Sequence, residues 1–302
     1  MIEAVGLGKD FEGFTAVYDL NLNVPAGQLL ALLGPNGAGK TTTVRMLGAI
    51  LRPTQGTARV NGYDVVAQAQ QVRHAIGMLT EQPGLYLRMT GLEYLIFFGR
   101  LYGLPDGETR RRGVALFERF AMPGEEKRRL GEYSKGMQQK VGLIRAMLHD
   151  PAVLLLDEPT SAMDPHSARL VRDAIRGLRD DKRTIILCTH NLAEAEALAD
   201  RIAIVKKGTI VAQGTTRELK AALLGDPLLK LQLDRPLNGQ LDGLVQVEQV
   251  AGNVVYYRTA VPETTNPQLI RHLTEQGVGV ISLVEIERSL EEVYLQVVSE
   301  VG

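Results

Sequence analysis

The 302-residue sequence predicts an α/β fold with a mixed, mostly parallel sheet, followed by a small α+β domain. Two observations favour the α/β part. The apolar run at 29–33 meets a glycine-rich loop and then a segment with helical spacing, so that strand, loop and helix follow one another. Apolar strands at 152–158 and 184–190 then alternate with helical segments until about Gly214, which is typical of a buried parallel sheet.

Two further parts are predicted beside this core. Apolar and polar residues alternate at 2–11, 18–24 and 57–65, which is typical of antiparallel strands, so we expect a flanking antiparallel sheet. Between about 90 and 149 the pattern changes to three helical segments separated by proline and glycine residues. This stretch predicts an inserted helical lobe.

The first domain is predicted to span residues 1–224, and the second to span residues 225–302. The boundary follows a short helix at 218–224, where Gly225, Asp226 and Pro227 interrupt the pattern. Three β-like segments come next, and helices are predicted at 267–276 and 290–298 with a strand between them. The second domain is therefore expected to be a compact accessory module of α+β type.

Charge and hydropathy exclude several classes of function. The 34 Lys and Arg residues balance 35 Asp and Glu residues and leave a net charge of −1, so no nucleic-acid partner is expected. No apolar run approaches the roughly 18 residues of a membrane span, and the first residues lack the pattern of a secretory signal. We therefore expect a cytoplasmic protein that meets a membrane only through a partner.

A phosphate-binding motif lies between the first predicted core strand and its helix. Residues 34–41 fit G-x-x-x-x-G-K-[ST], the P-loop of nucleotide-binding proteins, so the fold class is that of a P-loop NTPase. Lys40 is expected at the β- and γ-phosphates, the Thr41 hydroxyl at Mg²⁺, and Thr42 at another phosphate oxygen. The glycines let backbone N–H groups surround the phosphates. The other loop residues expected at the nucleotide are Gly34, Pro35, Asn36, Gly37, Ala38 and Gly39.

Two adjacent carboxylates end the predicted strand at 152–158. Ligands collect at this edge of a parallel sheet, and successive strand residues point in opposite directions, so the two acids need different roles. Asp157 suits the coordination shell of Mg²⁺. Glu158 suits the activation of a water molecule beside a triphosphate.

A second anion site is suggested by Tyr133-Ser134-Lys135-Gly136-Met137, just before a helical segment. Ser134 and Gly136 could present a hydroxyl and backbone N–H groups at the helix N-terminus. A serine and a glycine before a helix are also typical of an ordinary helix cap, so this motif alone is weak.

These motifs, together with Ser161–Asp164 and His190, resemble in order and spacing the ATP-binding cassette subunits of transporters over residues 1–220. The resemblance implies a head-to-tail dimer that binds and hydrolyses ATP with Mg²⁺. Each ATP would lie between the phosphate loop of one copy and the serine–glycine segment of the other. Ser134 and Gly136 would then act on the nucleotide of the partner copy.

The same resemblance implies roles for several other residues. Ser161–Asp164 resembles the segment that crosses the dimer interface, which would bring Asp164 to the nucleotide. His190 resembles the histidine that contacts the γ-phosphate. Phe11 stands where the family places an aromatic residue that stacks on adenine, although core packing on an amphipathic strand is a second, less favoured explanation.

Two positions depart from the family pattern. In the serine–glycine segment the usual sequence is LSGGQ, whereas Tyr133, Lys135 and Met137 replace its first, third and fifth residues. Where the family has a glutamine beside the γ-phosphate, this chain has Glu81, with Gln82 next. Glu81 can offer a carboxylate oxygen towards Mg²⁺, so we rank it slightly above Gln82.

The departures, the run at 82–86 and the C-terminal module resemble the drug-resistance and sodium-efflux branch of exporter ATPases. The branch implies an ATP-hydrolysing subunit that drives a separately encoded integral-membrane permease and lies peripherally on the inner face of the membrane. Its second cassette would be another copy of this chain or a paralogous cassette. Two alternatives remain at this point: a soluble regulatory cassette ATPase, and the ATPase subunit of an importer.

Overall fold

The computed structural model describes residues 1–161, 163–180, 182–237, 241, 243–286 and 289–300. The chain divides into two units, Met1–Thr215 and Thr216–Gly302. The strands of the first unit are β1 (Ile2–Phe11), β2 (Phe14–Val24), β3 (Leu29–Leu33), β4 (Gln55–Val60), β5 (Tyr63–Asp64), β6 (Ile76–Leu79), β7 (Val153–Asp157), β8 (Thr184–Thr189), β9 (Arg201–Lys206) and β10 (Thr209–Gly214). Its α-helices are α1 (Lys40–Leu47), α2 (Ala69–Ala75), α3 (Gly91–Leu101), α4 (Asp106–Arg119), α5 (Lys135–Met147), α6 (Pro165–Asp180) and α7 (Leu192–Leu198).

The central sheet of the first unit has the strand order β10-β9-β3-β8-β7-β6. Strands β3, β6, β7, β8 and β9 run parallel, and β10 pairs antiparallel with β9 at the edge. Every residue of β3, β7 and β8 is buried, as expected for strands covered on both faces. The predicted mixed, mostly parallel sheet is confirmed.

A second, antiparallel sheet with the order β2-β1-β4-β5 flanks the central one. Ile2 and Leu20 from this sheet share one hydrophobic cluster with Val44 of α1 and Leu155 of β7. The amide of Tyr18 also donates to the carbonyl of Gly208 in the β9–β10 turn, at 2.9 Å. The flanking sheet is therefore packed onto the same core that supports the phosphate loop.

The helical lobe contains α3, α4 and α5, with short 3₁₀ turns at Glu125–Lys127 and Leu130–Glu132. A capping box begins α3, because the Thr90 hydroxyl accepts from the Glu93 amide and the Glu93 carboxylate accepts from the Thr90 amide. Tyr94 and Phe117 are fully buried in a cluster that also holds Leu156 of β7. The lobe and the strand that carries the paired carboxylates thus share a core.

The second unit contains α8 (Thr216–Leu224), α9 (Pro262–Glu275) and α10 (Leu290–Glu300) with an antiparallel sheet of strand order β12-β13-β11-β14. Its strands are β11 (Leu228–Leu233), β12 (Gln246–Ala251), β13 (Val254–Arg258) and β14 (Val280–Glu285). Leu231, Tyr257 and Leu273 lie at the centre of its own hydrophobic cluster. The predicted α+β module is confirmed as a fold class.

Two boundaries in this half differ from the sequence predictions. The division between the units lies before α8 rather than after it, because α8 packs against α10. Helix α9 begins at Pro262 rather than at Pro267, since proline suits the first helical position and the Thr265 amide bonds to the Val261 carbonyl at 3.1 Å. Pro267 lies inside this helix, where a proline is less common.

None of the helices in the described part of the chain combines the length with the apolar character that crossing a membrane would require.

Candidate functional site

The phosphate loop connects the buried strand β3 to the first residue of α1. Gly37 and Gly39 adopt left-handed φ values of 80° and 101°, which favour glycine. A Cβ atom at Gly39 would lie 2.6 Å from the carbonyl oxygen of Ala16, and one at Gly34 would lie 2.3 Å from that of Val205. Glycine is therefore required at both positions for the loop to pack this closely on its neighbours.

A cavity of about 290 Å³ lies against this loop. Among the residues predicted from the sequence, those that line it are Asn36, Gly37, Ala38, Gly39, Lys40, Thr41, Thr42, Glu81, Glu158 and His190. Phe14, Ala16 and Ser161 also line it, although no sequence motif indicated these three individually as nucleotide contacts. The structure thus brings together residues from five separated segments of the chain.

Lys40 places a buried positive charge at the cavity, with only 5% of the residue exposed. Its Nζ donates to the carbonyl oxygens of Gly34 at 2.6 Å and Pro35 at 3.1 Å, and lies 3.7 Å from Oε1 of Glu158. That Glu158 oxygen is buried and accepts no hydrogen bond among the described residues. The ammonium can therefore turn towards an anion without leaving a strong hydrogen bond to Glu158.

Thr41, at the start of α1, and Asp157, at the end of β7, form a pair of oxygen ligands. The Thr41 hydroxyl donates to Oδ1 of Asp157 at 3.2 Å, and Asp157 is 2% exposed. Burial holds the pKa of the Asp157 carboxyl above its usual value, and the nearby charges of Glu158 and Glu81 act in the same direction. The Thr41 hydrogen bond and the charge of Lys40 oppose this rise. Oxygen ligands of this kind suit a hard divalent cation.

No group of three or more His, Cys, Asp or Glu side chains within the described residues could hold a metal by itself. Mg²⁺ commonly takes one or two protein ligands and completes its octahedral shell with phosphate oxygens and water. The pair of Thr41 and Asp157 fits that donor set.

Glu158 and Asp157 contact different partners, because Asp157 ends the extended strand β7 and Glu158 is the first residue beyond it. Glu158 has a left-handed φ of 51°, and its amide donates to the carbonyl of Cys188 at 2.9 Å. Its Oε2 lies 2.9 Å from Nδ1 of His190, whose side chain is half-exposed. The structure therefore joins the carboxylate at the end of β7 to the histidine after β8.

The aromatic residues near the loop differ from the prediction in an informative way. Phe11 is 38% exposed, so it is not part of the core, and it does not line the cavity. It stacks on Phe14 with the ring centres 5.5 Å apart, and Phe14 is the ring that lines the cavity. The signal that could have revealed Phe14 is the β1–β2 hairpin, which pairs Phe11 directly with Phe14.

Ser134, Gly136 and Asp164 do not line the cavity of their own chain. Ser134 caps α5 by accepting the Met137 amide at 3.3 Å, and Gly136 is buried in the first turn of that helix. The Asp164 carboxylate accepts the amides of His166 and Ser167, each at 3.0 Å, at the start of α6. Within the predicted interface segment, Ala162 lies outside the described residues.

Glu81 and Gln82 occupy different positions. Both residues line a cavity of about 410 Å³ that faces the first turns of α5. Of the two, Glu81 also lines the nucleotide cavity. The backbone carbonyl of Gln82 accepts the Thr80 hydroxyl at 2.6 Å. This placement favours Glu81 over Gln82 as the residue near the phosphates.

Arg145 of α5 ties the segment 81–86 to the helical lobe. Its guanidinium donates to the Pro83 carbonyl at 2.9 Å and to the Tyr94 hydroxyl at 2.8 Å. It also lies over the ring of Phe98, 5.1 Å from the ring centre. One side chain thus contacts the loop beside Glu81 and two aromatic residues of α3.

Comparisons with known proteins agree with this geometry. Residues 17–161 match the family described as ABC transporter, and residues 214–298 match the C-terminal domain described as ATP-binding protein DrrA1-3-like. The daunorubicin/doxorubicin resistance ATP-binding protein DrrA of Streptomyces peucetius is 39% identical over 293 residues, which cover 97% of this chain and 86% of the relative.

A second relative is the Nod factor export ATP-binding protein I of Rhizobium sp. (strain N33). It is 33% identical over 297 residues, which cover 98% of this chain and 96% of that protein. Among solved structures, one described as an ATP binding subunit of ABC transporter has a TM-score of 0.68 and 29% identity, covering 74% of this chain and 94% of the other.

The central sheet, the phosphate loop and the paired carboxylates define an ATP-binding and ATP-hydrolysing cassette of the P-loop class. The chain belongs to the ABC transporter family, in the exporter branch that carries a DrrA-like C-terminal domain. Of the three functions left open by the sequence, these findings favour the exporter ATPase over the regulatory ATPase and the importer subunit.

Proposed function

We propose that two cassettes close around ATP and part after hydrolysis, and that this cycle drives a separately encoded membrane permease. The observation that carries the proposal is the position of Glu158, held between Lys40 and His190 at the edge of the nucleotide cavity. A carboxylate placed there can orient a water molecule and accept its proton when the γ-phosphoryl bond breaks.

Each side chain of the cavity has a separate role in the proposal. Lys40 binds the β- and γ-phosphates as a positive charge, and Thr42 and the loop amides bind further phosphate oxygens. Thr41 and Asp157 would hold Mg²⁺, and Glu81 would offer it a further carboxylate oxygen. When bound, Mg²⁺ neutralises part of the phosphate charge. His190 keeps Glu158 oriented and would contact the γ-phosphate.

A second cassette would supply donors beyond those of the phosphate loop, Ser161 and His190, which line the cavity in the described part of the chain. Stabilising the charge of a transferring phosphoryl group needs donors around it. Ser134, Gly136 and Asp164 do not line their own chain's cavity, which supports a role for them at the nucleotide of a second copy or of a paralogous cassette. No nucleic acid takes part in this scheme.

The contact with the permease is proposed on the segment 81–86 and the helical lobe. Tyr86 is 48% exposed and packs its edge on Phe97, which is 37% exposed. This aromatic patch is continuous with the loop that carries Glu81. We place the chain peripherally on the inner face of the membrane through this contact.

The proposal predicts a conditional association with membranes. Coexpression with a six-helix permease should move the chain into the membrane fraction, whereas expression without one should leave it in the supernatant. The measurement is the amount of chain in each fraction after centrifugation. Exchange of Tyr86 and Phe97 for Ser should weaken the association. Equal membrane recovery with and without the permease would contradict the proposal.

We also expect the ring of Phe14, rather than that of Phe11, to stack on adenine. Phe14→Ala should raise the KM for ATP about tenfold, because stacking of a base on an aromatic side chain contributes about 1–3 kcal/mol. Phe11→Ala should have a smaller effect, since its ring reaches the cavity only through Phe14. The measurement is steady-state ATPase activity against ATP concentration.

Inorganic triphosphate serves as the control ligand for this prediction. It has no base to stack, so both variants should bind it as tightly as the parent protein. A larger rise in KM for Phe11→Ala than for Phe14→Ala would return the role to Phe11.

A further inference from the structure

Glu194 is a buried carboxylate that no sequence motif indicated, and it contacts the segments that carry Glu158 and His190. Glu194 is the third residue of α7 and is 2% exposed. Its Oε2 accepts the Thr189 hydroxyl at 2.5 Å, and its Oε1 accepts the Thr160 hydroxyl at 2.7 Å. Both carboxylate oxygens are therefore used, each by a different segment of the chain.

The two threonines stand next to the residues that act on ATP. Thr160 follows Glu158 by two residues, in the segment after β7, and Thr189 directly precedes His190 at the end of β8. The hydroxyl oxygen of Thr189 also accepts the Asn191 amide at 3.0 Å, and the Asn191 side chain accepts the Glu194 amide at 3.0 Å. Glu194 thus links the segment of Glu158, the segment of His190 and the first turn of α7.

Glu158 needs such support because its backbone has an unfavourable conformation. A φ of 51° is uncommon for a residue with a side chain and persists only where the surroundings hold it. The bond from the Glu158 amide to the Cys188 carbonyl holds one end of the segment, and the Thr160–Glu194 bond holds the other. The contact between Glu158 and His190 at 2.9 Å depends on both segments staying in place.

Burial of the Glu194 carboxylate costs desolvation free energy, which an apolar residue would not lose. Burial accordingly raises the pKa of this carboxyl, and the negative charge of Glu158 adds to the rise, whereas the two threonine hydroxyls oppose it. An aliphatic side chain of similar size would fill the same space without that cost. A buried acid at this site is explained by the two hydroxyl groups that it holds.

We propose that Glu194 is a positioning residue for ATP hydrolysis, which sets the geometry between Glu158 and His190 through Thr160 and Thr189. The inference rests on the proposed roles of Glu158 and His190. Glu194 does not line the nucleotide cavity, so it acts on the reaction and not on the binding of ATP. A displacement of about 1 Å at a reacting group can lower a rate about 10²-fold.

The test compares kcat with KM in variants of the 302-residue chain. Glu194→Ala should lower kcat about 10²-fold while the KM for ATP stays within about twofold. Glu194→Gln should lie between Ala and the parent, because its amide keeps the shape and one acceptor oxygen. Thr160→Val should lower kcat as well, and it replaces Glu194→Ala if that variant does not fold.

Glu93→Ala is the matched control. Glu93 is also the third residue of its helix, and its amide also donates to the N-cap side chain, but it is exposed and lies in α3. Its kcat should equal that of the parent. The inference is overturned if Glu194→Ala keeps kcat within about threefold, if Glu194→Gln is no better than Ala, or if KM changes as much as kcat.

Glu158→Gln in the same assay separates this inference from the proposed function. Full turnover in that variant would overturn the role of Glu158 itself. Loss of turnover in Glu158→Gln together with normal kcat in Glu194→Ala and Thr160→Val would overturn only the role of Glu194.

Discussion

The variant Glu158→Gln should bind ATP with unchanged affinity and hydrolyse it about 10³-fold more slowly than the parent protein. A general base contributes about 10²- to 10⁴-fold to a rate, and an amide cannot accept the proton. The side-chain shape is kept, so the contacts with Lys40 and His190 persist in altered form. Phosphate release measures the rate, and equilibrium dialysis measures the binding.

The same variant should also accumulate as an ATP-bound dimer on size-exclusion chromatography, since the proposed cycle cannot proceed past closure. Glu118→Gln is a suitable control, because Glu118 is an exposed carboxylate on α4 and the change in charge is the same. Turnover at the parent rate in Glu158→Gln would show that another group activates the water. Slow turnover without a dimer would contradict the closure of two cassettes.

The variant Lys40→Ala should lose affinity for ATP itself. Its ammonium is buried against the loop, and a charge-assisted hydrogen bond is worth about 1.5–3 kcal/mol, which corresponds to roughly 10- to 10²-fold in the Kd for ATP. Removal of the ammonium also leaves the buried Glu158 carboxylate without its nearest lysine, which adds repulsion towards the phosphates. Isothermal titration with ATP measures the effect.

Lys230→Ala provides the control for this measurement, because Lys230 is exposed on β11 in the second unit. It should bind ATP like the parent protein. Parent-like affinity in Lys40→Ala would mean that the loop amides alone hold the phosphates. Together, Glu158→Gln and Lys40→Ala separate the chemical step of hydrolysis from the binding of ATP.

The parts of the site that could be predicted are those whose requirements lie within a few consecutive residues. The phosphate loop needs glycines, a lysine and a hydroxyl residue at fixed spacing between a strand and a helix, and all of these appear in residues 34–41. The central sheet could be predicted for the same reason, since each buried strand is a continuous apolar run. The predicted α/β class and its cassette function are confirmed.

The parts that could not be predicted depend on contacts between distant segments. Phe14 reaches the cavity because a hairpin pairs it with Phe11, and periodicity does not distinguish two aromatic residues on either side of a turn. Glu194 looks like an ordinary helical glutamate until Thr160 is brought against it by the fold. The unit boundary likewise depends on the packing of α8 on α10.

The departure at Glu81 lies between these two cases. From the sequence, either Glu81 or Gln82 could be the residue beside the γ-phosphate, and only the placement of the loop distinguishes the two. Ser134 caps its helix as the simpler interpretation of the sequence predicts, and this is compatible with a role towards a second copy. Its role at a partner's nucleotide stays a prediction.

The guanidinium of Arg145 has a mechanical consequence. It joins Pro83 to Tyr94 and Phe98, so the segment 81–86 is held firmly against α3. Packed interiors resist compression and pass displacement on to their neighbours. We therefore expect a shift of Glu81 on nucleotide binding to displace the helical lobe as a rigid body, with little deformation within the lobe.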